Sequence, residues 1–155
     1  MRQHPVMTRI LFVCLGNICR SPAAEGITRT LAAARGLDLL LDSAGTGDWH
    51  IGEPPHLPMI AAARERGYDL SPLRARQVVP GDFTRFDLIF GMDRANLSAI
   101  ERIRPLDSTT PVQLFLGEAE VPDPYFDASF ETALGLIEAG AARLVDQLEA
   151  QARSA

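Results

Sequence analysis

The sequence predicts a four-stranded parallel β-sheet with helices on both faces and a tight loop after the first strand that holds both cysteines. Two observations lead there. Apolar runs of strand length alternate with segments of helical periodicity, the signature of β–α–β units. The residues richest in chemistry, Cys14, Ser43, Asp93 and Asp123, fall at or beyond the ends of the four strand segments. That is the edge at which open parallel sheets bind ligands.

Each element has its own signal. Arg9 to Cys14 contains the unbroken apolar run Ile10, Leu11, Phe12 and Val13 and reads as a buried strand. Ser21 and Pro22 suit an N-cap and a first helical turn. Ala24, Ile27, Leu31 and Ala34 then share one helical face, and Gly36 closes the helix. Leu37 to Ala44 is the second strand, followed by a long loop from Gly45 to Pro58 rich in Gly and Pro. Pro58 to Arg66 is helical and ends at Gly67; Ser71 to Thr84 is irregular with one helical turn. Phe86 to Gly91 is the third strand, Asp93 to Arg104 a helix stopped before Pro105, and Pro111 to Leu116 the fourth strand. Gly117 to Asp127 is a loop. The last helix begins near Asp127 or Ser129 and carries the stripe Phe130, Ala133, Leu134, Ile137, Ala141, Leu144 and Leu148.

The 155 residues suit one domain, and no linker or change of composition divides them. Residues 1–7 are expected to be an N-terminal extension. A hydrophobic content of 46% and a charged content of 23% are ordinary globular values. The formal net charge of −5 argues against nucleic-acid binding, so any anion must be held by local geometry. No apolar run is long enough to span a bilayer, and the N-terminus lacks the apolar core of a secretory signal. Two cysteines are too few for a disulfide scaffold, and a reducing cytoplasm is the expected compartment. No metal or cofactor is expected: Cys14 and Cys19 supply half a zinc site at most, and His4, His50 and His56 are scattered.

The stretch "VCLGNICRSPAAEG" holds both cysteines between a strand and a helix start. The first-turn N–H groups of a helix lack intrahelical partners and point at whatever lies in front of them, and the dipole favours negative charge there. Gly16 lets the loop curl, and Asn17 tolerates the left-handed conformation that a concave nest of N–H groups needs. Arg20 offers a planar fork to two phosphate oxygens. Cys14 would lie beneath the phosphorus, its thiolate favoured by the same groups, with the Ser21 hydroxyl able to donate to the sulfur. Asp123, taken alone, reads as a turn residue before Pro124, and Trp49 as a packed aromatic or an exposed stacking ring. Asp93 is either a helix cap or a hydrogen-bond partner of Arg20 or the loop.

The same stretch resembles the phosphate-binding loop of the low-molecular-weight protein tyrosine phosphatases. "DSAGTGDWHIGEPPH", "RARQV", "FDLIFGMDRANL" and the late "DPY" follow in family order and at family distances. The resemblance implies metal-free hydrolysis of phosphotyrosine proteins and aryl phosphates through a cysteinyl phosphate. It makes Cys14 the nucleophile, Arg20 the phosphate clamp and Asp123 the general acid. Leu15, Gly16, Asn17, Ile18, Cys19 and Ser21 become the substrate-binding loop, supported by Ser43 and Asp93. Trp49 and Tyr125 would flank the entrance, and Cys19 would be the redox partner of Cys14.

Three positions depart from the family pattern or refine it. Phe126 stands where members often have a second tyrosine, and Leu73 where many carry a histidine, so part of the polar network behind the loop is missing or replaced. Ile18 stands where the related arginine phosphatases carry threonine, and its branched apolar side chain favours phosphotyrosine. An arsenate reductase on the same scaffold would relay electrons through further cysteines, which this chain lacks. A non-catalytic phosphopeptide-binding module would need Arg20 and the loop but not Cys14 with Asp123. A thiol oxidoreductase would carry Cys-x-x-Cys spacing, not Cys-x4-Cys.

Overall fold

The computed structural model describes residues 7–154. Their order is β1 (Thr8–Cys14), α1 (Arg20–Ala34), β2 (Leu39–Gly45), α2 (Leu57–Glu65), α3 (Asp82–Arg85), β3 (Leu88–Gly91), α4 (Arg94–Arg102), β4 (Val112–Leu114), α5 (Pro124–Asp127) and α6 (Phe130–Ser154). The strands pair in the order β2-β1-β3-β4, and every pair is parallel. The expected extension at residues 1–7 lies outside the described residues except for Met7, which is exposed.

The continuous apolar run of β1 is explained by burial on both faces. Side chains alternate along a strand. Ile10, Phe12 and Cys14 therefore enter the larger core, built with Ala23, Ala24 and Ile27 of α1, Met59 and Ala63 of α2, and Leu134, Ile137 and Ala141 of α6. Leu11 and Val13 enter the smaller core on the opposite face, with Val78, Phe83, Phe86 and Ile100. Phe12, Phe90 and Phe115 form an aromatic cluster in the larger core, with centroids 5.5–5.9 Å apart. Among the described residues no helix is long and apolar enough to cross a membrane.

The chain leaves β1 toward β2 on one side and returns to β3 and β4 on the other. The carboxyl end of β1 is thus the switch point where such sheets open a crevice. Gly45 pairs with Cys14 there, and the loop after β1 lies directly on it. A Cβ at Gly45 would fall 2.9 Å from the Leu15 carbonyl oxygen and 3.1 Å from the Asn17 nitrogen, so a side chain would push the loop away.

Strands 2 to 4 differ at their ends from the sequence reading: β2 starts at Leu39 and runs through Gly45, while β3 and β4 are shorter. Asp87 lies before β3, where its carboxylate accepts from Arg9 N–H at 2.8 Å. The segment read as a loop from Gly117 to Asp127 ends in α5. Asp123 caps that short helix by accepting from Tyr125 N–H at 3.1 Å, and Ala128, at φ 62, ends it. Ser21 is not the cap of α1. The helix starts at Arg20, and the Ser21 hydroxyl turns into the loop instead.

Candidate active site

The loop from Cys14 to Arg20 is held from behind by a chain of buried polar groups. Asn17, at φ 57, adopts the left-handed conformation expected of it. Its amide nitrogen donates to Ser21 Oγ at 2.8 Å and to Ser43 Oγ at 3.0 Å, and its oxygen accepts from Arg76 N–H at 2.9 Å. Ser43 donates in turn to Glu25 Oε1 at 2.7 Å. With Asn17 donating to it, the Ser21 hydroxyl keeps its own hydrogen for the Cys14 sulfur at 3.1 Å or the Ala44 carbonyl at 3.3 Å. An anionic sulfur is the stronger acceptor. The network therefore points a hydrogen at Cys14 when the sulfur is a thiolate.

Glu25 is a residue that sequence reasoning missed. It is buried, and burial pushes its carboxyl above the usual range, opposed by the hydrogen bonds from Ser43 and Arg29. Arg29, one helical turn on, holds its other oxygen at 2.7 Å. The available signal was the Glu-x-x-x-Arg spacing on α1, which reads as an ordinary surface pair. Leu73 packs against the larger core. Glu25 and Arg29 end the network instead.

Arg20 is the largest fully buried side chain, 2% exposed. Nη1 donates to Asp93 Oδ2 at 2.7 Å and to the Val121 carbonyl at 3.0 Å; Nη2 lies 3.4 Å from Asp123 Oδ2. Its Nε–H has no hydrogen-bond partner among the described residues. A buried donor without a partner costs roughly 1–3 kcal/mol, and an anion in the loop would satisfy it. The two readings of Asp93 both hold. Oδ2 takes Arg20, while Oδ1 accepts from Asn96 N–H at 2.8 Å and caps α4.

Above the loop opens a narrow cavity of about 50 Å³ lined by Cys14, Leu15, Gly16, Ile18, Cys19, Trp49, Asp123, Tyr125 and Phe126. The structure thus brings together every site residue expected from sequence. Cys14, Asn17, Arg20, Ser21 and Ser43 form the buried base, Asp93 and Asp123 flank Arg20, and Trp49 and Tyr125 stand at the wall. Cys14 and Cys19 are both free thiols. Burial, then the charge of Cys14, pushes the Cys19 thiol well above its usual range, so Cys19 stays protonated beside the loop. Phe126 joins the wall as an exposed ring set edge-on to Tyr125, centroids 5.2 Å apart.

A second support lies under the 71–82 segment. Arg76 forks onto the fully buried Asp82 with two bonds of 3.0 Å and reaches Asp42 at 3.0 Å. This fixes the backbone that donates to Asn17.

A thiol at the carboxyl end of the central strand, beneath a helix start and beside a buried arginine, is an arrangement for attack on a phosphorus. The family model for low molecular weight phosphotyrosine protein phosphatase matches residues 9–154. The chain belongs to that family. The family member YfkJ of Bacillus subtilis is 40% identical over 151 residues, covering 92% of this chain and 97% of YfkJ. The crystal structure of YfkJ superposes with a TM-score of 0.90 over 96% of this chain and 99% of that one, at 38% identity. Wzb of Vibrio vulnificus, solved with benzylphosphonate, gives a TM-score of 0.82 at 29% identity, covering 92% and 99% of the two chains. A Drosophila arginine phosphatase gives 0.83 at 32%, covering 90% and 96%.

Proposed function

We propose that this protein hydrolyses phosphotyrosine in proteins, and small aryl phosphates, through a cysteinyl-phosphate intermediate. The observation that carries this reading is the buried Arg20 with its unpartnered Nε–H, set beside Cys14 and Asp123 at the base of an apolar cleft. The phosphate would sit in the loop with its oxygens on the backbone N–H groups and on Nε and Nη2 of Arg20. The Cys14 thiolate would attack the phosphorus, forming the S–P bond as the P–O bond to the phenol breaks. Asp123 would give its proton to the departing oxygen. Water would then attack the cysteinyl phosphate with Asp123 as base, releasing inorganic phosphate. Ser21, hydrogen-bonded to the sulfur, would stabilise it as it leaves.

Leu15, Ile18, Trp49 and Tyr125 line the way in, and their apolar surfaces suit an aromatic ring. The apolar Ile18 offers no hydrogen-bonding group to the guanidinium of phosphoarginine. Charge in the reaction is handled by Arg20, the loop N–H groups and Asp123, all from this chain.

The test is hydrolysis of phosphotyrosine, phosphoserine and phosphoarginine peptides by the wild type and Cys14→Ser. Phosphotyrosine is expected to be turned over far faster than the other two, with the serine variant inactive but still binding phosphate. Comparable phosphoserine or phosphoarginine turnover, or turnover without Cys14, would overturn the reading.

A further inference from the structure

We infer that Gly47 is a specificity-determining position, because it places the ring of Trp49 as a wall of the cleft. The inference rests on the aryl-phosphate reading above.

Trp49 is 64% exposed yet lines the cavity over Cys14. What leaves room for its ring there is the bare α-carbon of Gly47. A Cβ there would fall 1.8 Å from Trp49 Cζ3, 2.3 Å from Cε3 and 2.6 Å from Cη2. The benzo edge of the indole therefore occupies the space of a side chain at position 47. Gly47 is not among the positive-φ glycines, so its backbone conformation is open to any residue. The three atoms nearest to that position all belong to the ring.

When a Cβ is added, either the backbone or the ring must give way. The backbone is pinned to the loop: Thr46 N–H donates to the Cys14 carbonyl and Gly47 N–H to the Leu15 carbonyl, both at 2.9 Å. Gln77 Nε2 holds the Thr46 carbonyl at 3.2 Å. The ring, mostly in solvent, is the free partner. Alanine at position 47 swings Trp49 off the cleft and leaves the loop, Arg20 and Asp123 in place. The aromatic wall is lost while the phosphate site survives.

Trp49 is the sole tryptophan, so its fluorescence reads the ring's position directly. In Gly47→Ala the emission should shift to longer wavelength and acrylamide quenching should rise. The kcat/KM for phosphotyrosine should fall about three- to tenfold, the weight of one aromatic contact. The inhibition constant of inorganic phosphate should change less than twofold. Gly47→Ala placed on Trp49→Ala should cause no further loss, since Gly47 acts through the ring. Unchanged emission and quenching would overturn the inference. So would an equal loss in the Trp49→Ala background, or phosphate inhibition weakening in step with aryl hydrolysis. A variant that fails to fold would overturn it as well, because the backbone and not the ring would then have yielded. The fluorescence needs no turnover, so it decides the placement of the ring even if aryl phosphates prove not to be substrates.

Discussion

Asp93 performs two separable tasks, and two substitutions pull them apart. One oxygen caps α4; the other holds the buried Arg20. Asparagine is as good a cap as aspartate. With its single oxygen on Asn96 N–H, however, its NH₂ would face Arg20 Nη1, donor against donor. Asp93→Asn therefore loses one charge-assisted hydrogen bond, worth about 1.5–3 kcal/mol. Arg20 keeps the Val121 carbonyl and Asp123, and the Asp93 side chain is 23% exposed so water can enter, which places the loss near about 2 kcal/mol. Asp93→Ala adds the missing cap, about 1 kcal/mol more. Urea unfolding at constant slope should show the two steps. At about 2–4 °C per kcal/mol for a chain of this size, the melting temperatures should fall in the same order. If Arg20 is the phosphate clamp, a guanidinium released on one side holds the anion less well, and kcat/KM for an aryl phosphate should drop about tenfold or more in both variants. If Asp93→Asn unfolds with the wild type, Arg20 does not depend on this pair. If the two variants unfold together, the cap contributes nothing.

Three further outcomes follow from the site. Asp123→Asn should slow cysteine phosphorylation by phosphotyrosine by about 10²–10⁴, and by a nitrophenyl ester much less, in a rapid-mixing experiment; equal slowing would make its role positional. If Cys19 condenses with a Cys14 sulfenic acid, forming the disulfide with release of water, Cys19→Ser should recover a smaller fraction of its own starting activity when reductant follows peroxide; equal recovery refutes that protection. Stability should fall as pH rises above about 9. Burial and the Cys14 charge raise the Cys19 thiol from 9.0, while burial and the Glu138 hydrogen bond push Tyr68 from 10.0 up to about 12. The fold favours both protonated forms, so their contribution is complete below the unfolded pKa values and is lost as pH climbs toward the folded ones. All 15 basic residues are arginine, so no lysine titrates in that window. Tyr68→Phe should flatten the decline between pH 10 and 12, and an unchanged slope would refute the assignment.

What the sequence made legible is what local rules govern. The strand of β1 and the loop behind it could be read because a buried parallel strand must be apolar on both faces and an anion loop needs Gly, Asn and Arg in a short span. The stripe on α6 was equally plain. The α5 turn was not, because four residues capped by Asp123 give no periodicity, and the same aspartate serves equally well in a plain turn. Ser21 allowed two readings, a cap ahead of Pro22 and a donor to the Cys14 sulfur; only the second holds, with the sulfur at 3.1 Å, because the helix begins one residue earlier. Glu25 and Asp82 stayed hidden because local spacing does not reveal burial: Glu25 with Arg29 at i+4 and Asp82 with Arg85 at i+3 read as ordinary surface pairs, and the Ser43 bond that ties Glu25 to the loop spans 18 residues.

The hidden residues all serve the same end. Glu25 through Ser43, and Asp82 through Arg76, both converge on Asn17, the one loop residue at positive φ. A non-glycine residue in that conformation persists only where its surroundings over-determine it. Here two buried carboxylates, from α1 and α3, hold it from different sides. The loop's shape, which looks like a property of seven residues, is therefore imposed by the packing of α1, β2 and the 71–82 segment around them. The chemistry can be read in the loop, but the rigidity that the chemistry requires is written elsewhere in the chain.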